Sequence, residues 1–367
     1  MKQRLVKLRK KLKESGLQGL LIRVNESGQS TMPNNQNVLY MSGFGGSTGV
    51  LLVTLKSAFI VVDARYWARA SQEAPDFRLV KVRRGENFSV LINQALALAK
   101  LGKKVAIGFE ANQIPYAVYK EWHKHLHARL VPCELLVESL RQYKDEDEIR
   151  LLRSACRKTS KVFTEVLPRI KSGMTESQVA LLIDTGLREK GAFDNSFQTI
   201  IASGPNSAVP HHATGSRRLK AGEPVVMDFG GVFEGGYCSD ITRTIFVPGK
   251  APDAKMKEIY NIVLEANVLA RKQLNARMTI VEFDRVARDY IESRGYGQYF
   301  THGLGHSLGL EAHDPFDYKN SRLDVGTVVT DEPGIYIDGL GGVRIEDDLL
   351  VTDKGAVKLT SAPYWKF

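Results

Sequence analysis

The segment EPVVMDFGGVFEGGYCSDITRT, Glu223 to Thr244, sets acids where a buried strand calls for apolar side chains. Asp228 ends the apolar run of Val225, Val226 and Met227, and Asp240 opens another that continues through Ile241 and Ile245. The two acids stand twelve positions apart, and the intervening GGVFEGGYCS holds four glycines, enough for the chain to turn and return as the second strand of a hairpin with both carboxylates facing one point. A carboxylate taken out of water without a cation is costly or shifts its pKa until it is neutral. Either these acids are exposed or something positive sits between them. The device recurs in VVTDEPGIYIDGLGGVRIEDD, where Glu332 follows an apolar run, glycines between Gly339 and Gly342 make a turn, and Glu346 stands fourteen positions on. Two acid-bearing hairpins suggest an internal two-fold around a shared negative centre.

Four converging carboxylates repel one another, and a pair of divalent cations removes that cost. A donor set of oxygens with one or two imidazoles suits Mn, Co, Fe or Zn better than the thiolate sites of structural zinc. The stretch FTHGLGHSLGLEAHD offers His302, His306 and His313, with Gly303, Gly305 and Gly309 allowing side chains and backbone to crowd together. It contains no HExxH, so the helical zincin arrangement is excluded. A further pair, His211 and His212, falls in SGPNSAVPHHATGS, a loop by its Ser, Gly and Pro content.

The 367 residues, 43% of them hydrophobic, predict two domains rather than one. From 1 to 137 helical patterns alternate with β-rich runs at Gly19–Val24, Thr48–Leu55, Ser57–Asp63 and Lys103–Glu110, and helix-like segments span Phe88–Leu101 and Tyr116–His127. That pattern predicts an α/β domain. The polar stretch Glu26–Asn37 reads as a surface loop. A charged segment, 138–147, is expected to link this domain to a second one over 148–367. There the pattern predicts helices over Glu148–Ile170, after Thr175 with Gln178 as its capping partner, over Lys255–Leu274 and over Thr279–Arg294, together with largely antiparallel strands, an α+β arrangement. The net charge of +10 is spread along the chain except in the first 14 residues, where Leu5, Leu8 and Leu12 recur at helical spacing. Without aromatic interleaving this describes a solvated amphipathic helix, so no nucleic-acid partner is expected. No apolar block of signal-peptide or membrane-spanning length occurs, and the three cysteines, Cys133, Cys156 and Cys238, form neither a disulfide framework nor a CxxC knuckle. A cytoplasmic protein with no membrane partner is expected.

These motifs carry a resemblance. IIASGPNSAVPHH, VVMDFGGVFEGGYCSDITRT, HGLGHSLGLEAHD, TDEPGIY and GGVRIED occur in the order found in the pita-bread metallopeptidases, and LYMSGFGGSTGVLLV followed by DARYWARAS resembles the creatinase-like N-terminal domain of their Xaa-Pro dipeptidase (prolidase) and aminopeptidase P branch. The resemblance implies a creatinase-like α/β N-terminal domain and an α+β pita-bread catalytic domain with a pseudo-two-fold antiparallel sheet. It implies two divalent metal ions, manganese first with cobalt, zinc or iron as alternatives, held by Asp228, Asp240, His306, Glu332 and Glu346. His211 and His313 are then the imidazoles that meet substrate and tetrahedral intermediate, Arg344 holds the ligand carboxylates in place, and Tyr336 matches a tyrosine of the active-site motif. A hydroxide bridging the metals would attack the scissile carbonyl, with Glu332 passing the proton. The implied substrates are short proline-containing peptides, and the implied assembly is a homodimer.

Alternatives remain at this point. Methionine aminopeptidases share the catalytic fold but not a separate N-terminal domain; a non-catalytic peptide- or partner-binding module and a metal-free creatinase would each be expected to have lost ligands. His302 is either a packed neighbour of the site or a substrate contact. His123, His125 and His127 read as a solvated helix face and Cys238 as a small buried side chain. Asp331, where the family carries an apolar or small residue, is expected to add charge near the site.

Overall fold

The leucines at 5, 8 and 12 are buried along one side of the first helix, as their spacing requires, while Lys2, Lys7, Lys10 and Lys13 stay in water. The computed structural model describes residues 1–24 and 35–367. Most of the loop expected over Glu26–Asn37 therefore lies outside the described residues, and its end is helical, with Asn35 capping the helix that starts at Gln36 through the Asn37 N–H.

The chain divides into two compact units, Met1–Arg141 and Gln142–Phe367. In the first, the elements run α1 (Lys2–Glu14), β1 (Gly19–Val24), α2 (Gln36–Ser42), β2 (Gly49–Thr54), β3 (Ala58–Asp63), α3 (Trp67–Glu73), β4 (Arg78–Val82), α4 (Phe88–Leu98), β5 (Ala106–Glu110), α5 (Tyr116–His125), β6 (Arg129–Cys133) and α6 (Glu138–Arg141). A six-stranded mixed sheet in the order β4-β3-β2-β1-β5-β6 forms the centre, and Leu21, Leu52, Phe59 and Ile107 pack against Ile92 and Leu96 of α4 and Trp122 of α5. The two strands with no counterpart among the sequence expectations, β4 and β6, are the sheet edges. RLVKV and RLVPC carry the charges and proline that protect an edge and dilute the apolar signal.

The second unit contains α7 (Glu146–Val166), α8 (Glu176–Glu189), β7 (Asp194–Asn195), β8 (Ile200–Ser203), β9 (Pro224–Phe229), β10 (Gly231–Val232), β11 (Ile241–Phe246), α9 (Ala254–Gln273), α10 (Ile280–Ser293), β12 (Val328–Asp331), β13 (Gly334–Ile337), β14 (Gly341–Arg344), β15 (Asp347–Thr352) and β16 (Gly355–Lys358). Reciprocal capping boxes start three of its helices, Asp145 with Glu148, Thr175 with Gln178 and Thr279 with Glu282. The helices α7 and α8 pack Phe163, Val179 and Ile183 onto Val225, Met227 and Ile245 of β9 and β11. In the second half α9 and α10 pack Ile259, Val263 and Phe283 onto Ile335, Val343 and Leu349. Each half thus sets two helices behind one acid-bearing hairpin, and the strand pairs in this unit are antiparallel, as the α+β, pseudo-two-fold expectation requires.

Candidate metal centre

The first hairpin pairs β9 with β11 so that Ile241 lies opposite Phe229 and Thr242 opposite Asp228. Asp240 stands at the entrance to β11, and the turn before it closes tightly: a Cβ on Gly230 would sit 1.9 Å from the Ser239 carbonyl oxygen. In the second hairpin β12 pairs with β15, Asp331 opposite Asp347, and β13 pairs with β14, Gly334 opposite Arg344. Both ladders keep a single register, so Glu332 and Glu346 face one another across the interruption between them. Pro333 accounts for that interruption, because it has no N–H to give the ladder. A third segment, 304–308, lies beside β12, with Thr330 N donating to His306 O, Leu308 N to Val328 O and Glu332 N to Leu304 O. This approach needs Gly305, where a Cβ would lie 2.1 Å from the Thr330 carbonyl oxygen.

These elements converge on a cavity of about 590 Å³ whose wall includes Asp228, Asp240, His306, Glu332 and Glu346. Donor atoms of Asp240, His306 and Glu346 lie within 4.8 Å of one another. His306 Nε2 stands 3.4 Å from Glu332 Oε1 and 3.8 Å from Asp240 Oδ2. Its Nδ1 meets the Ser307 carbonyl oxygen at 3.2 Å. A carbonyl can only accept, so Nδ1 carries the proton and Nε2 turns its lone pair toward the acids. Burial lowers the His306 pKa to about 4, with the neighbouring His313 adding to the effect, which keeps the imidazole neutral.

The carboxylates have the opposite problem. Burial above all, then repulsion from Glu346, Asp228 and other acids, holds the Asp240 pKa well above the usual range, and burial does the same to Glu346. Glu332 is pushed up to about 8, chiefly by burial. Among the described residues, the buried Asp228 Oδ1 and Asp240 Oδ1 find no hydrogen-bond partner. Buried carboxylate oxygens facing a neutral imidazole lone pair, with no protein donor to satisfy them, fit divalent cations and fit little else.

The remaining oxygens are held in place. Arg344 Nη2 donates to Asp228 Oδ2 at 2.5 Å, and Thr242 Oγ1 donates to Glu346 Oε2 at 2.8 Å. Thr330 Oγ1 donates to Glu332 Oε1 at 3.2 Å, and the backbone N–H of Asp240 donates to Asp348 Oδ2.

His211, His302 and His313 line the same cavity. The His313 ring stacks on His306 at 3.7 Å between centroids, 14° from parallel. His302 Nε2 contacts the Tyr336 hydroxyl at 2.8 Å, and the same hydroxyl accepts from Arg344 Nη1 at 2.8 Å. Tyr336 is therefore tied to the site through Arg344 and His302 and is not part of the cavity wall. Burial lowers the His302 pKa to about 4.

Some of the machinery escaped sequence reasoning. His212 faces Glu176, Nε2 to Oε2 at 2.9 Å, while the fully buried Glu176 also accepts from Ser203 and Asn206, so that one carboxylate moors the loop bearing His211. Asp348 closes the run IEDD and accepts from the Cys156 thiol at 3.1 Å as well as from Asp240 N. Asp331 is fully buried opposite Asp347 and lies outside the cavity wall, and burial holds its carboxyl well above the usual range. His123, His125 and His127 are exposed, and α5 stops at His125, so no intact helical i, i+4 pair forms. Cys238 is buried.

Comparison with known proteins identifies the family. Residues 150–353 match metallopeptidase family M24, and residues 4–143 match the creatinase/prolidase N-terminal domain. The chain is 36% identical to the Xaa-Pro dipeptidase of Pyrococcus horikoshii over 331 residues, covering 89% of this chain and 90% of the relative. Among solved structures, the Xaa-Pro dipeptidase from Bacillus anthracis superposes with a TM-score of 0.90 at 36% identity, covering 99% of this chain and 98% of that one. The X-Pro aminopeptidase from Thermotoga maritima gives 0.86 at 32% identity, covering 96% and 98%. The chain belongs to metallopeptidase family M24, metal-dependent hydrolases, and carries a creatinase/prolidase N-terminal domain.

Proposed function

We propose that this protein is an exopeptidase that hydrolyses Xaa-Pro bonds at the N-terminus of short peptides, with Asp228, Asp240, His306, Glu332 and Glu346 holding two divalent metal ions. The observation that carries the reading is the set of buried carboxylate oxygens without donors, Asp228 Oδ1 and Asp240 Oδ1, beside the inward lone pair of His306. The names of the similar proteins, dipeptidases and an aminopeptidase acting on Xaa-Pro bonds, supply the substrate class.

The metals, when bound, supply Lewis acidity that polarises the scissile carbonyl and lowers the pKa of water toward neutrality. The chain's own residues do the rest. Glu332, at the cavity wall, takes a proton from the attacking water and returns it to the proline nitrogen as the bond breaks. His313, whose pKa burial lowers, presents a neutral N–H to the oxygen that gains charge, and His211 faces the same space. Arg344 fixes Asp228 and Tyr336 together. Phe197, Ile200, Pro210 and Ala213 give the cavity an apolar side. An Xaa-Pro bond offers no N–H and a fixed φ, so a site that packs against the pyrrolidine ring recovers what a strand-binding protease loses.

This reading includes manganese as the working metal, a cytoplasmic location, a homodimer, and a division of the chain into 1–137, 138–147 and 148–367. Among the described residues no helix is long and apolar enough to cross a membrane. The test is hydrolysis by chelator-stripped protein, with and without Mn, Co or Zn, of Ala-Pro, Ala-Pro-Ala, Met-Ala-Ala and Ala-Ala-Ala. Metal-dependent cleavage confined to Xaa-Pro bonds is expected, and the ratio of the first two substrates separates dipeptidase from aminopeptidase. Cleavage of Met-Ala-Ala in preference, or of nothing by a folded, metal-loaded protein, would sink the reading.

A further inference from the structure

Lys144 and Asp314 form an ion pair in the interior of the second unit, Nζ to Oδ2 at 3.3 Å, each side chain 1% exposed. Neither residue reaches the cavity wall, yet both touch the segment that supplies its two stacked histidines. Asp314 directly follows His313, and Ser307 directly follows His306. The two flanks are joined by the Asp314 N–H, which donates to the Ser307 carbonyl oxygen at 2.8 Å, and Lys144 Nζ lies 3.5 Å from Ser307 Oγ. The other carboxylate oxygen of Asp314 accepts from Glu311 N at 3.2 Å and so fixes the intervening turn. Gly309 leaves room for this carboxylate, since a Cβ there would sit 2.5 Å from Asp314 Oδ2. Lys144 is itself anchored, its N–H donating to the Gly326 carbonyl oxygen, while Gly326 N donates to Val351 O at the end of the acid-bearing hairpin.

We propose that Lys144 and Asp314 are a positioning pair for the reaction. The buried ion pair closes the 306–314 segment on itself and holds it against the second hairpin, so that His306 Nε2 faces the acids while His313 stacks over it. Stability alone does not call for such a pair, because a buried ion pair replaced by neutral groups of similar volume often leaves stability unchanged or improved. What neutral groups do not reproduce is the directional hold on Ser307 and on both flanks of the stack. The inference rests on the placement of His306 and His313 in the proposed site.

The experiment compares the full-length protein with Lys144→Met, Asp314→Asn and the neutral double variant Lys144→Met/Asp314→Asn, which keeps the acceptor for Glu311 N. Each is stripped with chelator, titrated with Mn²⁺ by calorimetry, melted, and assayed on Ala-Pro and Ala-Pro-Ala. The single variants are expected to bind Mn²⁺ ~10- to 100-fold more weakly and to lose kcat with a smaller change in KM. In the double variant the thermal midpoint returns toward that of the parent, whereas Mn²⁺ affinity and kcat do not. A double variant with parental Mn²⁺ affinity and kcat would overturn the proposal, and it decides the matter where a single variant does not fold. If the parent binds Mn²⁺ but cleaves neither peptide, the peptidase reading fails on its own and the Mn²⁺ affinities still judge the pair.

Discussion

Arg344 and Asp228 meet at 2.5 Å, Nη2 to Oδ2, at the point where the two hairpins abut. The same guanidinium donates from Nη1 to Tyr336 and from Nε to Thr242 Oγ1 at 3.2 Å, and Thr242 in turn serves Glu346. One planar, permanently charged group thus sets the orientation of an acid from each hairpin, which an ammonium with a single point of charge does not reproduce. Arg344→Lys is therefore expected to fold and to lose ~10- to 100-fold in kcat/KM with weakened metal binding. Steady-state kinetics and metal content after dialysis check this; parental values for both would show that the fork geometry is irrelevant.

In the proposed mechanism Glu332 moves a proton as well as holding a cation. Glu332→Gln keeps the shape and removes the acceptor, so kcat at saturating Mn²⁺ should fall by roughly 10²- to 10⁴-fold. A variant that keeps most of its kcat under those conditions would assign the proton transfer elsewhere.

Metal removal should leave a pH-dependent defect in stability. Glu332, ordinarily near 4.5, is raised to about 8, burial being the first cause, and Asp240 and Glu346 shift in the same direction. The folded, metal-free protein therefore holds protons that the unfolded chain has released. The associated stability is full below the unfolded value and is lost as pH rises through the folded one. The thermal midpoint of chelator-stripped protein should fall between about pH 5 and pH 8.5, and the rise on adding Mn²⁺ should be larger at the alkaline end, where no proton competes. A metal-free midpoint that climbs over that interval would contradict the buried, mutually repelling acids.

How much of this was legible in the sequence depended on the range of the interaction. The acids of both hairpins, their glycine turns and the cap at Thr175 are local patterns, and the structure forms that cap. The edge strands β4 and β6 were diluted by their own charges, and the fine placement of Glu332 opposite Glu346 depends on a ladder break at Pro333 that no period reveals. Long-range partners left no trace at all. Lys144 finds Asp314 across 170 positions, Cys156 finds Asp348 across 192, and Arg243 reaches Asp347 across 104. Buried polar groups choose partners by the folded geometry, so a lone lysine at the end of a charged run looks like solvent-exposed chain until the fold encloses it.

Gly305 offers the cleanest test of how tightly the histidine segment must sit against β12. A Cβ at this position would lie 2.1 Å from the Thr330 carbonyl oxygen and 2.7 Å from Thr330 Oγ1, both far inside van der Waals contact. The obstacle is backbone, which cannot swing aside as a flexible side-chain tip would, so the 304–308 segment has to move outward. That movement would lengthen the bonds from Thr330 N to His306 O and from Glu332 N to Leu304 O, and it would draw His306 away from Asp240 and Glu346. Gly305→Ala should cost about 1–3 kcal/mol in stability, as overpacking of an enclosed contact does, and should weaken Mn²⁺ binding out of proportion to that loss. Chemical unfolding of the chelator-stripped protein measures the first term, and Mn²⁺ calorimetry below the unfolding transition measures the second. Equal Mn²⁺ affinity in a destabilised variant would mean that the segment adjusts without carrying His306 with it, and the tight approach would then serve the sheet rather than the metal.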